Sequence, residues 1–106
     1  MSHLINNIYL IKNSEDDTYK IGVAKKPNAR LEQLQTGCPS KLLLIEIFQT
    51  EYAYKIEKTL HRYFSHFHKQ GEWFSFSVVE ECNFINTCKK IEENIRILQE
   101  NGNVFA

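Results

Sequence analysis

The sequence predicts an α+β fold, a small and mainly antiparallel sheet flanked by helices in the order β-β-α-β-α-β-α. Three observations predict it. Two β-branched, aromatic runs flank a short polar loop, which is how an antiparallel hairpin reads. A third apolar run, bounded by Pro39, is short enough to be a strand. Two later segments repeat apolar residues at three- and four-residue spacings, which makes one buried stripe on a helix.

The elements follow in order. Leu4-Ile5 and Ile8-Tyr9-Leu10-Ile11 suit a strand. Asn13-Ser14-Glu15-Asp16-Asp17 reads as a turn, and Thr18–Val23 as the second strand. Pro27 stands where a first helical turn tolerates its missing N–H, and Gly37 and Pro39 are stop signals. That places a helix over 27–36, with Ala29, Leu31 and Leu34 on it. The run from Leu42 to Phe48 is a third strand, apolar enough to be central. From Glu51 to Phe67 a helical stripe uses Ala53, Ile56, Leu60, Tyr63, Phe64 and Phe67. Lys69-Gln70-Gly71 breaks it, and Glu72–Phe76 is a short extended piece. A last helix spans about 78–99 with Cys82, Ile85, Cys88, Ile91, Ile95 and Leu98 as its buried face. Asn101-Gly102-Asn103 ends it, and the final residues are expected to be loose.

The 106 residues fit one domain over 1–106. Hydrophobic residues at 42% and charged residues at 25% are ordinary globular values, which excludes a collagen-like or disordered chain. No window reaches the roughly 18 apolar residues of a membrane-spanning helix, and the N-terminus lacks a secretory pattern. An intracellular protein is expected, cytoplasmic or nuclear. Cys38, Cys82 and Cys88 contain no close-spaced pair, so a zinc finger is excluded and three buried or half-buried thiols are expected. Formal net charge is zero, which weighs against nucleic-acid binding. The distribution is uneven, however. Residues 18–30 carry Lys20, Lys25, Lys26 and Arg30 without a carboxylate, whereas Glu72 to Glu100 holds six glutamates. A basic face opposite an acidic one fits such a sum.

Asn7-Ile8-Tyr9 on one strand and Tyr19-Lys20-Ile21-Gly22 on the next resemble the two halves of the GIY-YIG nuclease motif. Arg30 on the first helix and Glu57 on the second stand where that family has its catalytic arginine and metal-binding glutamate. Gly71-Glu72-Trp73-Phe74 resembles its compact branch, seen in phages, large DNA viruses and some cellular genomes. The resemblance covers residues 7–76. It implies a metal-dependent endonuclease that nicks DNA and leaves a 5′-phosphate and a 3′-hydroxyl; low sequence specificity is expected, since the sequence shows no appended DNA-reading segment.

The residue types suit phosphodiester hydrolysis, which needs an activated water, a cation over the extra negative charge and help for the departing oxygen. The resemblance implies Glu57 as ligand of one Mg²⁺ or Mn²⁺, a hard cation that prefers oxygen. Arg30 can grip a phosphate oxygen through its planar fork. Tyr9 or Lys20 can orient or deprotonate the water. His61, one helical turn beyond Glu57, can orient that carboxylate, contact phosphate or move a proton. Tyr19, Lys25, Lys26, Glu72 and Trp73 complete the candidates, as nucleic-acid contacts. His66 and His68 look like a metal pair, but their spacing on a helix sends them to different faces, and they are expected to be surface histidines.

Two departures stand out. Counting back from Gly22, the second tyrosine position holds Lys20, and Tyr19 comes one residue early. Adjacent strand residues point to opposite faces, so only one of them can face the site, and the register from Gly22 favours Lys20. Glu72 stands about where the family often has an asparagine, so it either adds a ligand or caps a turn. Two other readings stay open: a binding module of the same fold without catalysis, and a protein-interaction factor, supported by zero net charge and the acidic last helix. DNA is the expected partner. Cutting both strands requires two sites or two binding events, which leaves room for a homodimer, and a protein partner could supply specificity.

Overall fold

In the computed structural model, which describes residues 5–100, a five-stranded antiparallel sheet is sandwiched between helices. Its strands are Asn6–Asn13 (β1), Thr18–Ala24 (β2), Leu42–Thr50 (β3), His68–Gln70 (β4) and Trp73–Ser75 (β5), in the spatial order β3-β1-β2-β5-β4. The helices are Pro27–Thr36 (α1), Ala53–Tyr63 (α2) and Val78–Glu100 (α3). Leu4, the expected stop at Asn101-Gly102-Asn103 and the tail lie outside the described residues.

The β1–β2 hairpin is the centre of the sheet. Its turn ends at Asp17, whose φ of 55° is left-handed, and Asp16 Oδ1 accepts from the Thr18 backbone N–H at 3.1 Å. Such a local side-chain bond stabilises a tight turn. The register pairs Tyr9 with Gly22 and Ile11 with Lys20. Because strand side chains alternate, Ile8, Leu10, Tyr19 and Ile21 enter one face. There they meet Ala53, Ile56 and Leu60 of α2 and Phe84, Cys88 and Ile95 of α3. Tyr9, Ile11 and Leu42 enter the other, against Leu31 and Leu34 of α1, Cys38 and Trp73. The layers are therefore α1, sheet, and α2 with α3.

Four details differ from the sequence expectation. β3 is an edge strand, not a central one, and it leaves Leu43 and Ile47 exposed. It also carries a bulge, since Leu10 pairs with Glu46 and Ile11 with Leu44. α2 stops at Tyr63, and a separate 3₁₀ turn covers Ser65–Phe67, so Tyr63 and Phe67 are exposed rather than on a buried stripe. His68–Gln70 is a strand, which adds a β-hairpin to the expected order and takes His68 off the helix. On α3 the buried residues are Phe84, Cys88 and Ile95, whereas Cys82 and Leu98 are exposed. The expectation of three covered thiols thus fails at Cys82.

α3 starts with a capping box. The Ser77 backbone N–H donates to Glu80 Oε1 at 2.7 Å, and the Val79 N–H donates to Ser77 Oγ at 3.2 Å. Part of the acidity of this helix is thereby structural: Glu80 serves the cap, Glu81 accepts from the Tyr19 hydroxyl, and Glu92 pairs with Arg96.

Candidate active site

The chemistry-bearing residues gather where β2 loses its neighbour. β5 pairs only with Thr18–Lys20, and its start at Trp73 leaves the edge of β2 uncovered from Ile21 onward among the described residues. α2 crosses this gap. His61 Nε2 donates to the free Ile21 carbonyl at 3.1 Å, which selects the ring form with a proton on Nε2. The ring also stacks edge-on against Phe74, with centroids 5.0 Å apart. His61 is thus locked by two independent contacts.

Glu57, one turn earlier on α2, lines a cleft of about 520 Å³ with His61, Lys55, Lys58, Arg62 and Glu72. Burial raises its pKa above the ordinary glutamate range. The Glu72 carboxylate adds to that rise, while His61 and Lys20 oppose it. Glu57 therefore senses the charges of three neighbours. Lys55, Lys58 and Arg62 recur on α2 at three- and four-residue spacings and bring cations to the same cleft, a set the sequence analysis missed. The helical spacing itself was the available signal.

Lys20 leaves the α1 face of the sheet, between Ile11 and Trp73 in register. It is buried, and its Nζ lies 2.6 Å from Glu72 Oε1 and 5.8 Å from the centroid of the Trp73 ring. A second cleft of about 800 Å³ opens here, with Lys20, Glu72, Trp73, Gln33, Gln70 and Lys69 in its walls. Glu72 borders both clefts.

The remaining candidates stand apart. Tyr9 is 2% exposed, inside the α1-side cluster and across from Gly22. Arg30 is half-buried on α1, and its Nη1 donates to Gln33 Oε1 at 3.3 Å; no ion pair joins it to Glu57 or Glu72 among the described residues. Tyr19 faces the α2–α3 core at 2% exposure, where its hydroxyl donates to Glu81. Burial first, then Glu81, raises its pKa. That placement corrects the expectation of a nucleic-acid contact at Tyr19, because the ring has no surface to offer. Lys25 and Lys26 are exposed in the loop before α1. Asn7, which stands where the motif name has glycine, holds that loop by donating from Nδ2 to the Lys25 carbonyl at 3.1 Å. His66 is exposed, and exposed His68 donates from Nε2 to the Gly71 carbonyl at 2.7 Å.

Among the described residues, no three of the side chains that commonly ligate metals converge into a cage. Mg²⁺ does not require one: it binds through one or two carboxylates and keeps several waters. Glu57, half-buried at a cleft wall with Glu72 on the same cleft, fits that habit. No helix among the described residues is long and apolar enough to cross a membrane.

Comparison with known proteins adds one match. The family model described as the T5orf172 domain matches residues 6–92. No curated protein and no solved structure matches the chain.

Proposed function

Because the chain belongs to the T5orf172 domain family, we propose that it is a nuclease-like domain of the GIY-YIG type that nicks DNA with the help of Mg²⁺ or Mn²⁺. Membership is consistent with a nuclease-like or DNA-binding role. The observation that supports cutting is the convergence of Glu57, His61, Lys20 and Glu72 on the uncovered edge of β2.

In this reading Glu57 would hold the divalent ion, and that ion would supply Lewis acidity to the phosphate and the leaving oxygen. Lys55, Lys58 and Arg62 flank that carboxylate and attract the DNA backbone to it. His61 keeps Nε2 bound to the Ile21 carbonyl, so its Nδ1 is the atom left to accept a proton or orient water. Lys20 binds a phosphate oxygen through the ammonium that the Glu72 carboxylate now holds. Arg30, whose partner Gln33 lines the Lys20 cleft, acts as a second phosphate grip. Tyr9 supports the strand carrying Gly22 and is the least accessible member of the set.

The deep burial of Tyr9 and the closed Lys20–Glu72 pair favour one competing reading, a DNA-binding module that does not cut. Relaxation of supercoiled plasmid by the purified chain, with and without divalent metal, separates the two. Metal-dependent nicking supports the nuclease, and salt-sensitive binding without nicking supports the binding module.

A further inference from the structure

The Lys20–Glu72 ion pair is asymmetric. The Lys20 side chain is 9% exposed and the Glu72 side chain 50%. An ammonium taken out of water needs an anionic partner, and leaving it unpaired is costly. Glu72 has no comparable need, since water can solvate its carboxylate. It stands beside Gly71 in the β4–β5 turn, whose φ of 58° is left-handed. The structure thus holds a fixed cation whose partner can leave.

That partner lies on the border of two clefts, the one lined by Glu57 and the one lined by Trp73. A carboxylate oxygen at 2.6 Å from a lysine Nζ has the same acceptor chemistry as a non-bridging phosphate oxygen. We propose that Lys20 is a phosphate site kept closed by Glu72: a nucleic-acid phosphate takes the carboxylate's place on the ammonium, Glu72 swings into solvent, and the two clefts join. The proposal rests on the DNA-acting reading above and adds a residue that weakens DNA binding. Glu72 competes with the ligand for Lys20 and also repels it.

Equilibrium binding of a labelled DNA duplex at low salt in EDTA tests this without catalysis. The chains compared are the wild type, E72Q, K20M, the E72Q/K20M double variant and E93Q, which makes the same charge change at an exposed position of α3. E72Q is expected to bind about three- to tenfold tighter, the scale of one partly exposed charged contact. Its log–log salt slope is expected to match the wild type's, because the same phosphate meets Lys20 in both, whereas the slope of K20M is expected to be shallower by about 0.9, one phosphate fewer. E93Q should change little, and the gain from E72Q should vanish in the K20M background. If K20M does not fold, K20Q takes its place in both comparisons. Affinity of E72Q equal to wild type, or a gain that survives K20M, overturns the proposal while leaving the DNA-acting reading intact. No DNA binding by any of the chains overturns both.

Discussion

The Tyr9 ring occupies the space in which a side chain at Gly22 would sit: a Cβ there would overlap the Tyr9 hydroxyl and Cζ. The two residues are cross-strand partners on β1 and β2. This gives Gly22 a steric reason, since its missing side chain admits the Tyr9 ring. Replacing a glycine at a tolerant site commonly gains about 0.4–1 kcal/mol through the unfolded state. At Gly22 the sign should reverse, with G22A costing about 1–3 kcal/mol from overpacking. Gly37 is the control, because a Cβ there meets nothing within 4 Å and its φ is −98°. Urea unfolding should show G22A below and G37A at or above the wild type.

Tyr19 predicts a purely structural effect. Its hydroxyl joins β2 to α3 through Glu81, which also lies 3.9 Å from Lys12 Nζ. Y19F should cost about 1–2 kcal/mol, the range of a hydrogen bond to a charged acceptor partly open to water. DNA affinity should stay at the wild-type value. A loss of affinity without a loss of stability would return Tyr19 to the binding surface.

Glu57 predicts a pH dependence of stability. Its pKa is raised in the fold, chiefly by burial, so the native state holds this proton to higher pH than the unfolded chain does. At pH below the ordinary glutamate value, about 4.3, both states are protonated and the ionisation cost is absent. As pH rises through the folded pKa, the native carboxyl loses the proton it had favoured, and stability falls. E57Q removes this cost. Its unfolding midpoint should match the wild type's at acid pH and exceed it near neutrality, in matched urea titrations across pH. A pH-independent difference would show that burial does not control this group.

The thiols should react in a set order. Cys82 is exposed, Cys38 half-buried, and Cys88 buried with its pKa pushed up to about 12 by burial and by Glu46 and Glu92. A thiol-specific reagent on the folded protein should label Cys82 first, Cys38 more slowly, and Cys88 only on unfolding. Mass spectrometry of the labelled peptides reads the order.

Local pattern made much of this molecule legible. The β-branched runs of β1 and β2 and the Pro27 and Gly37 signals of α1 agree with the structure. Strand alternation also separated Lys20 from Tyr19 correctly, because a period of two is a property of the backbone. β4 was not legible: His68, Lys69 and Gln70 are all exposed, so no apolar pattern marks them, and their pairing depends on the Gly71 turn. β3 misled because apolar content reports burial, not position in a sheet. The Ser77–Glu80 capping box has the local Ser-x-x-Glu signature. The Lys20–Glu72 contact joins residues 52 apart, and no local spacing reports such a pair.

The most direct measurement is conversion of supercoiled plasmid to open circle by wild type and E57Q over a Mg²⁺ titration. E57Q keeps the shape of the side chain and removes the carboxylate expected to hold the ion, and its circular dichroism should match the wild type's. The account predicts nicking by the wild type that requires metal, and a loss of at least about a hundredfold in E57Q, on the scale of removing one electrostatic group from a site. Equal nicking by the folded E57Q would contradict the assignment of Glu57. No nicking by the wild type in Mg²⁺ or Mn²⁺ would contradict the nuclease itself.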